Sequence, residues 1–161
     1  MKIAVIIPLY NKKDTILKSI DSILNQQLLP DEIIIVNDGS TDGSEKKIIK
    51  LNNPLIKLIN QKNRGVSSAR NRGVKEADCE WITFLDADDY WKNSYLKEML
   101  ALIKKNNKLE VLGSNYYLMK KNILIENKLK NLEYLKKNII VDYFKFAAFN
   151  NPPIWSSAVL I

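Results

Sequence analysis

The chain has 161 residues, with 25 Lys and Arg against 18 Asp and Glu and a formal charge of +7. That length leads us to expect one domain, and 46% hydrophobic with 27% charged residues excludes a disordered chain. With no histidine and a single cysteine, Cys79, the sequence excludes Ser-His-Asp and Cys-His nucleophiles, an internal disulfide, and zinc held by imidazole or cysteine. Acid–base or metal chemistry is left to carboxylates, with a hard cation such as Mg²⁺ or Mn²⁺.

Ile3 to Ile7 is an unbroken apolar run ended by Pro8, the pattern of a strand buried on both faces. Over 14–27 the apolar residues Ile16, Leu17, Ile20, Ile23 and Leu24 recur at helical spacing. Glu32 to Asn37 repeats the buried-strand pattern, and the turn-forming stretch Asp38 to Ser44 leads into a helix ending near Leu51. A short strand over 55–60, a helix over 65–77, a strand over 81–85, a helix over 94–105 and a strand over 110–119 complete the regular part. After Lys120 the pattern weakens to mixed and partly helical, and the last apolar residues before Ile161 read as a strand. Strands alternating with helices predict an α/β domain with a mostly parallel sheet.

In such a sheet ligands bind beyond the carboxyl ends of the strands. Each strand here is followed there by a polar cluster: Pro8-Leu9-Tyr10-Asn11, Asp38-Gly39-Ser40, Asn63-Arg64-Gly65 and Asp86-Ala87-Asp88-Asp89. The last puts three carboxylates within four residues, whose mutual repulsion a divalent cation bridging to phosphate oxygens would relieve. A solvated turn capping the next helix is the alternative. Asp38 is open to two readings, an Asx-turn or cap, or an acceptor for a base or ribose. At about 100° per residue, Val66, Ala69, Gly73 and Ala77 share the inward face of their helix, and Arg70 falls in the same sector, whereas Arg72 and Lys75 point away. An inward Arg needs a carboxylate or phosphate partner, unless its stem carries it to solvent. The sequence has no G-x-G-x-x-G turn and no P-loop. Phosphate would therefore be held by a metal and by Arg or Lys side chains.

In order and spacing these four motifs resemble the family 2 glycosyltransferases of GT-A fold. The resemblance covers about the first 100 residues densely. It implies a Rossmann-like, mostly parallel sheet with flanking helices and inverting transfer of a sugar from a nucleotide-diphosphate donor, often UDP-sugar, with Mg²⁺ or Mn²⁺. By motif, Pro8, Tyr10, Asn11 and Asp38 would line the base and ribose, and Arg64 and Arg70 belong to a second nucleotide-binding stretch. Asp86 and Asp88 match the D-x-D motif: Asp86 would face ribose and metal, Asp88 would hold the metal, and Asp89 would share that task. The resemblance further implies a glycan or lipid-linked acceptor. The family's general base, an acidic residue beyond a segment like Ile154 to Ile161, has no match here. The sequence therefore reads as a truncated protein, with the donor-binding half at 1–119 and the acceptor-binding half begun at 120–161. A non-catalytic nucleotide-sugar-binding remnant is the alternative function. A nucleotidyltransferase would need a Gly-rich loop after the first strand, and a phospho-acceptor domain built on Asp86 leaves the other motifs unexplained.

The basic surplus lies at residues 92–137, with 11 Lys against 4 Glu. It reads as a solvated face or one attracted to the anionic inner surface of a membrane. Nucleic acid is not expected, because the aromatic residues do not interleave with the lysines. Five apolar residues before Pro8 are too short for a signal sequence. No run approaches the roughly 20 apolar residues of a membrane span. The expected location is the cytoplasm.

Overall fold

The structure, a computed structural model, describes residues 1–105, 111–114, 116–120, 123–126, 157 and 159–161. Along the chain these form β1 (Ile3–Leu9), α1 (Ile16–Leu24), β2 (Glu32–Asp38), α2 (Ser44–Leu51), β3 (Ile56–Gln61), α3 (Val66–Glu76), β4 (Trp81–Phe84) and α4 (Tyr95–Lys105). The short strands β5 (Leu112–Gly113), β6 (Tyr117–Lys120), β7 (Ile123–Glu126) and β8 (Val159–Leu160) follow. The main sheet has the order β3-β2-β1-β4-β8-β5, and β6 and β7 pair apart from it. β1, β2, β3 and β4 are mutually parallel, whereas β8 runs antiparallel to both β4 and β5. This is the expected α/β architecture with a mostly parallel sheet.

Two helical layers explain the unbroken apolar runs. Ile3, Val5, Ile7 and Leu9 of β1, with Ile33 and Ile35 of β2, pack among Ile16, Ile20 and Ile23 of α1, Ile48 of α2 and Leu96 and Met99 of α4. The alternate residues Ile6, Ile34 and Val36 face Ala69 of α3 instead. Both faces of β1 and β2 are thus removed from water, which for each isoleucine is worth about 1.5–3 kcal/mol. The α3 layer is thin because small residues let the helix approach. A Cβ on Gly73 would overlap the Ile6 side chain.

The order of the strands places a switch point between β1 and β4, from which the chain winds outward in both directions. The two strands also part there. Their register ends at Ile6 opposite Phe84, and the last bond between them runs from Leu85 N–H to the Ile6 carbonyl at 3.0 Å. Pro8 is the next residue of β1 on that side. Its missing N–H falls where no partner strand remains, while its register with Val36 of β2 continues.

The sequence reading fails at three places. Val66 stands at the first turn of α3 and is half exposed instead of facing the sheet. The single strand expected over 110–119 is broken: Leu112–Gly113 stays in the main sheet, and Tyr117–Lys120 turns away to pair with Ile123–Glu126. The mixed, partly helical reading after Lys120 misses that hairpin, and the rest of 121–156 lies outside the described residues apart from 123–126.

Candidate active site at the parting of β1 and β4

Four loops meet at the carboxyl edge of the sheet, and side chains from one loop bind the backbone of the next. Asn11, in a left-handed conformation at φ 50°, follows β1. Its N–H donates to Ser40 Oγ at 3.1 Å, and its Oδ1 accepts from Thr41 N–H at 2.8 Å. Asn37 Oδ1 accepts from Ser40 N–H at 3.0 Å, and its Nδ2 donates to Asn60 Oδ1 at 2.9 Å. Asp42 accepts from Lys13 N–H at 2.8 Å and from the N–H and hydroxyl of Ser44 at the start of α2. Burial raises the pKa of Asp42, but these hydrogen bonds outweigh it and leave the carboxyl below its ordinary value. Gly39, at φ 75°, packs so tightly on Asn63 that a Cβ would stand 2.9 Å from the Asn63 backbone nitrogen.

Asp38, at the tip of β2, is buried. Its Oδ1 accepts from Gln61 Nε2 at 2.7 Å and Arg64 N–H at 2.9 Å, and its Oδ2 from Gly65 N–H at 2.8 Å. The carboxylate therefore sits at the N-terminal end of α3, where the helix dipole and free N–H groups favour a negative charge. The turn-or-cap reading placed these bonds in the residue's own turn, whereas they reach Gln61 and the loop before α3. A contact 26 residues along the chain leaves no local signal.

The acidic tip of β4 is held by cations from two directions. Arg70 Nη2 donates to Asp86 Oδ1 at 2.6 Å, with both side chains about a quarter exposed. The guanidinium carbon lies 6.0 Å from the Phe84 ring centre, and Nε is buried without a hydrogen-bond partner among the described residues. Lys12 Nζ, from the loop after β1, donates to Asp88 Oδ2 at 2.6 Å. The inward Arg70 thus meets the carboxylate cluster that the helical spacing pointed to, whereas Lys12 was missed. A half-exposed lysine beside a motif carries no periodicity to say which acid it reaches.

Backbone bonds shape the turn itself. Asp89 N–H donates to the Asp86 carbonyl at 2.9 Å, and Asp86 N–H donates to Ser157 Oγ at 2.9 Å. Trp91 Nε1 donates to the Ser157 carbonyl at 2.6 Å. The acidic loop is so tied to residues just before β8. Thr83 repeats that link, donating to the Val159 carbonyl at 2.6 Å. Tyr95, stacked on Trp91 at 4.3 Å, is buried, which pushes its phenol up to about 12. Behind the loop, buried Gln26 donates to the Lys92 carbonyl at 2.7 Å and accepts from Leu96 N–H at 3.0 Å, fixing the start of α4.

The sequence-derived candidates therefore occupy one edge. Pro8, Asn11, Asp38, Asp86, Asp88 and Asp89 stand at or just beyond the strand ends. Tyr10 is exposed at the mouth, and exposed Arg64 precedes α3. Among the described residues no three His, Cys, Asp or Glu side chains are grouped to hold a metal ion. Asp86 and Asp88 are each matched to a cationic side chain instead.

Comparison with known proteins bears on this edge. The model of the family described as "Glycosyl transferase family 2" matches residues 4–154. WfgD of Escherichia coli, named as a UDP-Glc:alpha-D-GlcNAc-diphosphoundecaprenol beta-1,3-glucosyltransferase, is 33% identical over 73% of this chain and 46% of its own length. A cholesterol galactosyltransferase of Borreliella burgdorferi is 34% identical over 73% of this chain and 33% of its own. The structure of residues 1–349 of Staphylococcus aureus TarS in complex with UDP-GlcNAc superposes with a TM-score of 0.71 at 29% identity, over 81% of this chain and 39% of that one. The chain spans 46% or less of the curated relatives compared here. By its sequence match over 4–154 and this shared fold, the chain belongs to glycosyl transferase family 2.

Proposed function

We propose that this chain binds a nucleotide-diphosphate sugar, with UDP as its nucleotide, where β1 and β4 part, for inverting transfer to a glycan or lipid-linked acceptor. The observation that carries the reading is the pair of acid–cation contacts at the tip of β4, Arg70–Asp86 and Lys12–Asp88, at the switch point of the sheet. Carboxylates and cations in one crevice suit a ligand that is itself an ion pair, a diphosphate with its divalent cation. The UDP-GlcNAc complex of TarS supports a uridine donor.

The donor set fits a hard cation. Asp86 and Asp88 offer only oxygen, and Mg²⁺-type ions typically take one or two carboxylates together with substrate phosphates. In this reading Asp86 and Asp88, with Asp89 beside them, hold Mg²⁺ or Mn²⁺, which would supply Lewis-acid stabilisation of the departing diphosphate. Tyr10, exposed at the mouth, would stack on the base, and Pro8 and Asn11 would line it. A carboxylate has about four acceptor positions. Asp38 uses three on protein donors, so one remains for a base N–H. Arg70 keeps Asp86 oriented and adds positive charge where the leaving group gains negative charge. Transfer breaks the bond from the anomeric carbon to the diphosphate as the acceptor oxygen attacks from the opposite face. The acceptor hydroxyl gives its proton to a base that no described residue is assigned to be.

The test is thermal unfolding with and without UDP and Mn²⁺. At about 100 times Kd a ligand adds about 2.7 kcal/mol, enough to raise Tm by about 5 °C or more in a chain of this size. Asp88→Asn should remove most of the shift. No shift with any nucleoside diphosphate would end the proposal.

A further inference from the structure

The two cations of the acidic tip are held in different ways. Arg70 lies on α3 against Phe84, three-quarters buried, and its planar fork is fixed by packing. Lys12 reaches across from the loop after β1, with its own carbonyl bound by Thr15 N–H at 3.2 Å and Ile16 N–H at 2.9 Å. Its backbone is anchored while its side chain and that of Asp88 are 43% and 47% exposed. An ion pair so open to water is weak, and a flexible lysine stem exchanges partners easily. Among the described residues, a cation arriving at Asp88 has one charged partner to displace, that lysine.

We propose that Lys12 is the exchangeable counter-ion of Asp88: it holds the carboxylate while the crevice lacks donor, yields it to a divalent cation, and takes a phosphate oxygen of the arriving diphosphate. The inference rests on the donor site proposed above. The lysine has little distance to travel. Its Nζ is already 2.6 Å from Asp88 Oδ2, where oxygens of a diphosphate sharing a cation with Asp88 must come. Charge favours paired arrival. Arg70 and Lys12 already hold Asp86 and Asp88, so a bare divalent cation meets both as like charges, whereas one carrying a diphosphate brings its own counter-charge. Lys12 is thus a binding residue for the diphosphate and a barrier to the metal alone.

Isothermal titration of the whole chain separates these roles, with Mn²⁺ alone and with UDP in saturating Mn²⁺. The proteins are the wild type, Lys12→Met, and Lys50→Met, which removes the same charge from an exposed position on α2. Lys12→Met should bind Mn²⁺ alone about 3-fold tighter, having lost the competitor. It should bind UDP with Mn²⁺ about 10-fold weaker, having lost a charge-assisted bond to phosphate. Lys50→Met should leave both affinities within about 2-fold of the wild type. Opposite signs in the one variant are the expected result. Lys12→Met weakening both affinities, changing neither, or matching Lys50→Met would overturn the inference while leaving the donor site in place. Failure of the wild type to bind UDP with Mn²⁺ would overturn the donor-site reading itself, and the inference with it.

Discussion

The carboxyl edge of the main sheet and the β6–β7 hairpin are both made by apolar strands, yet they satisfy those strands in opposite ways. At the sheet edge, Ile6, Ile34 and Ile35 are wholly buried, and the polar residues that follow are bound to neighbouring loops. In the hairpin, Leu118, Met119, Ile123, Leu124 and Ile125 are all about half exposed or more, on both faces of a two-stranded ribbon. A ribbon of two strands is marginal by itself in water. The difference teaches that apolar content does not set rigidity. What makes the edge a site is that polar side chains there are pinned by bonds from elements distant in sequence.

The largest expected contrast lies in truncation. Ile34→Ala, at a wholly buried position, should cost about 2–5 kcal/mol in urea unfolding. Leu124→Ala in the hairpin should stay within about 0.5 kcal/mol. Equal costs would show that the hairpin is packed as firmly as the sheet. Next comes the pinning itself. Asp38→Ala strands the N–H groups of Arg64 and Gly65 and the Gln61 amide, and should cost about 2–3 kcal/mol by the same measurement. A cost near zero would mean that the loop before α3 needs no tether.

Much of this was legible in the sequence where the pattern is local. The runs Ile3–Ile7 and Ile33–Val36 specify strands buried on both sides, and the spacing of Ile16, Ile20 and Ile23 specifies the face of α1. The helical wheel also brought Arg70 inward, because Ala69 and Gly73 beside it bury. The same wheel misplaced Val66, since a wheel does not show where the sheet ends beneath a helix. Asp38 and Lys12 were illegible for another reason. Their partners lie 26 and 76 residues away, and only the sheet order brings those ends together. The hairpin had a signal that went unread: two short apolar runs around Lys120-Lys121-Asn122.

Close packing of α3 gives a smaller effect. Gly73→Ala gains about 0.5–1 kcal/mol of helix propensity but forces a methyl into Ile6, for a net loss of about 1–2 kcal/mol. A stabilised variant would show that α3 can lift without cost. The smallest expected effect is at Asp42. Its folded pKa is depressed, so its contribution is present above the unfolded value near 3.8 and is lost as pH falls through the lower folded value. Asp42→Asn, which keeps an acceptor oxygen but removes the charge from these hydrogen bonds, should cost up to about 1 kcal/mol at pH 7. The gap to wild type should narrow as pH falls below about 4 and close under the lower folded value, and a gap that does not narrow would remove the charge from the explanation.

The most direct measurement of the central claim is a crystal structure of this chain grown with UDP and Mn²⁺. The account predicts the cation on Asp86 and Asp88 where β1 and β4 part, the diphosphate beside it, and Lys12 Nζ moved from Asp88 to a phosphate oxygen. A nucleotide bound at another edge of the sheet, or an acidic tip still closed by Arg70 and Lys12 with no cation between the carboxylates, would contradict it.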